Sequence, residues 1–251
     1  MSRCWLTGAS SGIGAALAHC LLEQGHQVAV GGRHAERLTP LAERYPGQVL
    51  LAVGDLDQPQ QVADIVGHIK QAWGALDYVI LNAGTCEYLE PGHFDPALIE
   101  RVLRTNVIAL SHCLAAALPL LRAGRQPHLV VMGSSVSWLA LPRAGAYGAS
   151  KAAVRYLVES LRIDLAHEGI DVTLVSPGFV DTPLTRRNDF PMPQLWSAQR
   201  AAEHIARRLP RRPLEITFPG LFTFVLRLLG AMPARLRLAL GKRMARQNKD
   251  G

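Results

Sequence analysis

Apolar and polar positions along this chain repeat in two alternating kinds of segment. Short, nearly unbroken apolar runs predict strands: CWLTG (4–8), HQVAVGGR (26–33), QVLLAVGD (48–55), LDYVILNAG (76–84), HLVVMGSS (128–135) and IDVTLVSPG (170–178). Between them lie longer segments: GIGAALAHCLLEQG (12–25), AERLTPLAERY (35–45), QQVADIVGHIKQAWG (60–74), LIERVLRTNVIALSHCLAAALPLL (98–121) and YGASKAAVRYLVESLRIDLAHEG (147–169). Their apolar residues recur three and four apart, which predicts amphipathic helices. Gly25, Gly74 and Gly169 supply C-terminal stops.

Strands apolar along their whole length are buried on both faces. Strand and helix in alternation imply an α/β fold: a doubly wound, mostly parallel, Rossmann-like sheet with helices on both faces, in a single domain. A length of 251 residues suits one such domain. Beyond residue 180 the pattern changes. Residues 183–199 carry three prolines and read as a loop, 201–209 as a short helix, and 213–219 as a last strand. The stretch 220–247 reads as two amphipathic helical pieces broken at Pro233.

Charge separates the same two parts. The net charge is +7, but residues 200–251 hold 12 Lys/Arg against 3 Asp/Glu, whereas residues 1–199 hold 15 against 17. The tail alone is basic, which suggests an anionic partner. The 220–247 stretch carries two readings: peripheral contact with a membrane, or a helix pair packed on the core or on a second subunit. It is too short and too interrupted to span a bilayer. No recognition motif accompanies the charge, so nucleic acid is not expected. Cys4, Cys20, Cys86 and Cys113 are scattered, with no CxxC or HExxH pattern, so neither disulfides nor a metal site is expected. The opening MSRCWLTGAS shows no basic segment followed by an apolar one, so the expectation is no signal peptide and a cytoplasmic location.

Two short stretches carry chemistry. TGASSGIG (7–14) joins the first strand to the first helix. Gly8, Gly12 and Gly14 let backbone approach a ligand closely, and a helix N-terminus there suits a pyrophosphate. At the end of the second strand a carboxylate would bind a ribose 2′-hydroxyl. This chain has Arg33 instead, with Ser10 available to hydrogen-bond a 2′-phosphate. The expected cofactor is therefore NADP(H) rather than NAD(H). YGASK (147–151) sets Tyr147 and Lys151 one helical turn apart on one face. An adjacent ammonium stabilises a phenolate, so the expectation is a lowered phenol pKa. Ser134, at the end of the fifth strand, falls on the same rim of a parallel sheet.

With these motifs in their order, residues 3–182 resemble the short-chain dehydrogenase/reductase family. The resemblance implies cofactor contacts from Gly8, Ser10, Ser11, Gly12, Ile13, Gly14 and Arg33. It adds Asp55 and Leu56 after the third strand, and Asn82, Ala83 and Gly84 after the fourth. Pro177, Gly178, Val180 and Thr182 match the segment that touches the nicotinamide, and Tyr147 and Lys151 also face the cofactor. Asn106, Ser134, Tyr147 and Lys151 match the catalytic set. LNAG stands where the family usually has NNAG. On this reading residues 1–182 are the dinucleotide-binding and catalytic core, and 183–251 are a substrate loop and a basic amphipathic extension of the same domain.

The resemblance implies hydride transfer at a carbonyl or alcohol carbon of a small molecule. Tyr147 is then the general acid/base, Lys151 its modulator and ribose contact, and Ser134 the hydrogen-bond partner of the substrate oxygen. Asn106 holds a proton-relay water, and Thr182 fixes the carboxamide. Leu184, Phe190, Met192, Leu195 and Trp196 in the loop carry two readings: a lid over an apolar, lipid-like substrate, or packing of the loop on its own domain. The resemblance also implies a homodimer or homotetramer. Two other readings stand beside this one: a non-catalytic NADP(H)-binding scaffold or sensor, and an NADP-linked alcohol dehydrogenase working in the oxidative direction.

Overall fold

The computed structural model describes residues 1–90 and 92–245. Seven parallel strands form the central sheet: β1 (Arg3–Leu6), β2 (Gln27–Gly32), β3 (Val49–Val53), β4 (Tyr78–Leu81), β5 (His128–Met132), β6 (Asp171–Pro177) and β9 (Glu215–Phe218). Their order is β3-β2-β1-β4-β5-β6-β9. A small second pairing joins β7 (Val180–Asp181) to β8 (Trp196–Ser197). The helices are α1 (Gly12–Glu23), α2 (Thr39–Arg44), α3 (Pro59–Trp73), α4 (Pro96–Leu103), α5 (Ala109–Arg122), α6 (Gly145–Asp164), α7 (Ala198–Arg208), α8 (Gly220–Gly230) and α9 (Ala234–Met244).

Burial explains the apolar strands. Every side chain of β5 is buried, and the sheet separates two apolar layers. Leu17, Leu21, Ala201 and Ile205 of α1 and α7 pack with Leu6 and Val30 on one face. Ile65 and Ile69 of α3, Leu114 and Leu121 of α5, and Val154 and Val158 of α6 pack with Val79 and Val131 on the other. The run Pro96–Arg122 has the length and hydropathy of a membrane span. Here its apolar residues Leu110, Cys113, Leu114 and Leu121 are buried in that second layer.

The chain moves outward from β1 in one direction through β2 and β3, and in the other through β4, β5 and β6. The crevice between the C-terminal ends of β1 and β4 is therefore a topological switch point, where ligands bind in open α/β sheets.

Three local departures from the sequence expectation are found. The helix expected over 98–121 contains one π turn, Arg104–Ile108, between α4 and α5. The helix expected to run to Gly169 ends at Asp164. A 3₁₀ turn, Ala166–Glu168, then reaches Gly169, whose φ is +69°. The helix expected from 201 begins at Ala198, because Ser197 caps it by accepting the Arg200 N–H at 3.2 Å. Arg246 and Gln247, the end of the 220–247 stretch, lie outside the described residues.

Candidate active site

The loop between β1 and α1 is shaped by close backbone approach. Gly8 and Gly12 have φ of +69° and +55°, in the left-handed region that favours glycine. A β-carbon on Gly14 would stand 2.1 Å from the Gly8 carbonyl oxygen and 2.5 Å from Asn82 Nδ2. Only glycine lets the first turn of α1 press on its own loop this way. Ser11 precedes α1 with no side-chain cap, and no acid occupies the first turn. The positive end of this helix is thus open to an anion. Ile13 packs on the core below it.

Thr7 and Asn82 bind the two strand ends flanking the crevice. Thr7 Oγ1 accepts the backbone N–H of Asn82 at 2.9 Å and of Ala83 at 3.1 Å. Asn82 Nδ2 donates to the Thr7 and Gly8 carbonyls, both at 3.1 Å. Asn82 therefore serves the shape of the glycine loop through its side chain.

The neighbouring strand ends complete the rim. Arg33 follows β2 and is exposed. Ser10 lies beside it, with its Cβ 3.4 Å from where a Gly32 β-carbon would be. After β3, Asp55 Oδ1 accepts the Asp57 N–H at 3.1 Å, and the Asp55 N–H donates to Gln61 Oε1 at 2.8 Å. Leu56 packs against the α3 layer. A cationic guanidinium and a hydroxyl at the β2 end, with no carboxylate between them, fit a 2′-phosphorylated ribose in chemistry and charge.

The second half of the site hangs from β5 and α6. Ser134 begins a 3₁₀ turn, its Oγ accepting the Val136 N–H at 3.3 Å, and its side chain also hydrogen-bonds Tyr147. Lys151 is buried, and its Nζ donates to the Met132 carbonyl at 2.9 Å. Burial draws the ammonium down to about 8, with Cys86 pulling the other way. The expected lowering of the Tyr147 phenol is corrected by the structure. Burial, then Cys86, push it above its ordinary value, and only the Ser134 hydrogen bond draws it back. The ammonium is directed at a backbone carbonyl, and desolvation dominates.

Asn106 sits in the π turn, fully buried. Its Oδ1 accepts the Thr85 N–H at 2.8 Å, and its Nδ2 donates to the Thr85 carbonyl and to Ser150 Oγ, both at 2.9 Å. Ser150 Oγ in turn donates to the Tyr147 carbonyl at 2.7 Å. A β-carbon on Gly84 would lie 3.0 Å from Asn106 Oδ1 and 3.6 Å from Lys151 Nζ, so glycine keeps the space between them open.

The segment after β6 closes over the crevice. The Gly178 N–H donates to the Phe218 carbonyl at 2.7 Å, just past buried Pro177. Val180 is buried in the α1/α7 layer. Thr182 reaches the glycine loop: its Cγ2 lies 3.0 Å from a Gly12 β-carbon position. Thr185 holds it by exchanging backbone-to-hydroxyl bonds at 3.0 and 3.3 Å.

The family profile described as short chain dehydrogenase matches residues 3–191. The chain belongs to the short chain dehydrogenase family. An uncharacterized oxidoreductase of Myxococcus xanthus is 32% identical over 242 residues, 95% of this chain and 96% of its own. A solved short-chain dehydrogenase from Streptomyces avermitilis shares the fold, with a TM-score of 0.84, 23% identity, and coverage of 97% and 98% of the two chains. A short chain dehydrogenase from Burkholderia cenocepacia, solved in complex with NADP, has a TM-score of 0.83, 25% identity and 98% coverage of both.

In this short chain dehydrogenase several residues at the site escape a motif reading. Ser150 reads as a small spacer in YGASK but links Asn106 to the Tyr147 backbone. Thr7 opens the glycine stretch yet acts on the next strand. Cys86 and Tyr88 follow the NAG turn and hydrogen-bond each other, and Cys86 acts electrostatically on both Tyr147 and Lys151. Arg143 is joined to two loops: Nη2 donates to Glu90 Oε1 at 2.5 Å, and Nη1 to Asp189 Oδ1 at 3.0 Å. Its guanidinium lies 5.8 Å from the Tyr88 ring centroid. The only sequence signal for Arg143 would be its charge in an otherwise apolar loop, LALPRAGAY.

Proposed function

We propose that this chain is an NADP(H)-dependent oxidoreductase acting at a carbonyl or alcohol carbon of an apolar, lipid-like molecule, with Tyr147 as general acid/base. The observation that carries the reading is the convergence of Ser134, Tyr147, Lys151 and Asn106 on the rim that also holds the glycine loop. A relative solved with NADP supports the cofactor.

When bound, the cofactor supplies or accepts the hydride. The α1 N-terminus and its glycines would hold the pyrophosphate, Ser10 and Arg33 the 2′-phosphate, and Asp55 and Leu56 the adenine. Ala83, Gly84, Pro177, Gly178, Val180 and Thr182 would line the nicotinamide side. Ser134 hydrogen-bonds the substrate oxygen and stabilises charge that develops there. Tyr147 gives its phenolic proton to that oxygen in reduction and takes it back in oxidation. The phenol, raised by burial, is protonated at neutral pH, the state from which it donates in reduction. Lys151 would hold the nicotinamide ribose and, with Asn106 beside the open space at Gly84, would return the proton to Tyr147 from a bound water.

Side-by-side fluorescence titration with NADPH and NADH tests the cofactor assignment. NADPH should bind more tightly, and Arg33→Asp should reverse or abolish that preference. Equal affinity of the native chain for both would remove it.

A further inference from the structure

Helix α8 is amphipathic with its apolar stripe turned outward. Leu221, Phe224, Val225 and Leu228 recur at helical spacing, and Leu221, Phe224 and Leu228 are 67%, 65% and 59% exposed. The opposite side buries Thr223 and Leu226. No residue of helix α9 is fully buried, and Arg237 and Leu240 are half-buried. Leu236, Leu238 and Met244 are exposed on it, together with Arg235, Lys242 and Arg243. From Ile216 to Ala245 the chain has five cations and no Asp or Glu; Arg227 is paired with Glu215 at 2.5 Å, which leaves Arg235, Lys242 and Arg243 of α9 as the exposed charge.

The same helix reaches the active site. A β-carbon on Gly178 would stand 2.8 Å from the Phe222 ring of α8. Ring contacts then run from Phe222 to Phe179 at 5.4 Å, to Phe190 at 6.1 Å, and to Tyr88 at 5.5 Å. Tyr88 in turn hydrogen-bonds Cys86, just after the NAG turn at the edge of the site.

We infer that α8 and α9 form a docking surface for an anionic lipid bilayer, and that an acyl-bearing carbonyl or alcohol reaches Tyr147 from it along these rings. The second half of that statement rests on the function proposed above. Charge selects the occupant. A second copy of α9 would bring Arg235, Lys242 and Arg243 against the same cations with no acid on the helix to receive them, whereas anionic headgroups complement them. Exposed apolar residues flanked by Arg and Lys match a helix lying in the interfacial plane. An 11-residue helix is roughly 16 Å long, so α8 lies on the bilayer and does not cross it.

Co-sedimentation of the full chain with phosphatidylcholine vesicles, with and without phosphatidylglycerol, tests the docking. The chain should pellet with the anionic vesicles and remain in solution with phosphatidylcholine alone. Phe224→Asp/Leu228→Asp should weaken partitioning by more than about tenfold, and Arg235→Glu/Lys242→Glu by at least about fivefold per charge. Both variants should bind NADPH as the native chain does, which shows that they fold. The inference is overturned if the native chain ignores both vesicles, if it binds both equally, or if the variants pellet unchanged. It also falls if sedimentation velocity shows that Phe224→Asp/Leu228→Asp splits a dimer, since the face then belongs to a second copy. NADPH titration of the same samples separates the two claims: vesicle binding without NADPH binding would remove the proposed function and leave the docking surface standing.

Discussion

The Lys151 ammonium stands 5.9 Å from the centroid of the Tyr147 ring and donates to the Met132 carbonyl at 2.9 Å. The strand that ends at Met132, two residues before Ser134, therefore also positions the lysine. Holding that charge in a buried place opposes folding, and the ammonium is drawn from its ordinary value of 10.5 to about 8. Below about 8 both folded and unfolded chains carry the proton, and the cost is fully present. Between about 8 and 10.5 the unfolded chain still binds the proton while the folded chain releases it, so stability attributable to Lys151 rises with pH. The stability of Lys151→Met relative to native should be highest near neutral pH and fall by up to about 3 kcal/mol across that window. Thermal or denaturant melts of both proteins over this pH range provide the check, and a pH-independent difference would refute it.

Gly14 shows how tightly the cofactor loop is built. Its missing side chain leaves room for the Gly8 carbonyl and the Asn82 amide, and backbone cannot step aside cheaply. Gly14→Ala should lower stability by roughly 1–3 kcal/mol and weaken NADPH binding at least tenfold. Gly25→Ala is the contrast: its φ of +79° imposes strain, but nothing lies within 4 Å of the new carbon. It should cost stability of about 1 kcal/mol without changing NADPH affinity. Equal effects of both on NADPH binding would contradict the account of the loop.

Arg143 ties the segment after the NAG turn to the loop after β7. It is held at φ +63°, a strained value for arginine, with Glu90 on one side and Asp189 on the other. Both acids are largely exposed, so the ion pairs add no more than about 1 kcal/mol to stability. Their effect should appear in substrate binding. Arg143→Gln is expected to raise KM for an apolar aldehyde several-fold, with kcat and melting temperature little changed. A fall in kcat at unchanged KM would place Arg143 in the chemistry instead.

Much of this was legible in the sequence because it depends on spacing. The i, i+4 placement of Tyr147 and Lys151, the glycines of the first loop and the doubly apolar strands are one-dimensional signals with direct three-dimensional meaning. The π turn at Asn106 was not legible, since a continuous apolar period runs through 98–121. The direction of the Tyr147 shift depends on burial and on where the lysine points, and neither is set by spacing. Thr7, Ser150 and Arg143 act across 75, 44 and 46–53 residues of chain, and local pattern carries no signal over such separations. The outward stripe of α8 has the same helical period as an inward one. Only the fold tells which side faces the protein.

The central claim is that Tyr147 supplies the proton for carbonyl reduction by NADPH. Its most direct test is NADPH consumption with dodecanal as acceptor, measured for the native chain and for Tyr147→Phe alongside their NADPH affinities. The account predicts turnover by the native chain, a loss of about 10²–10⁴-fold in the variant, and nearly equal NADPH binding. Turnover retained by Tyr147→Phe with NADPH bound as before would contradict it.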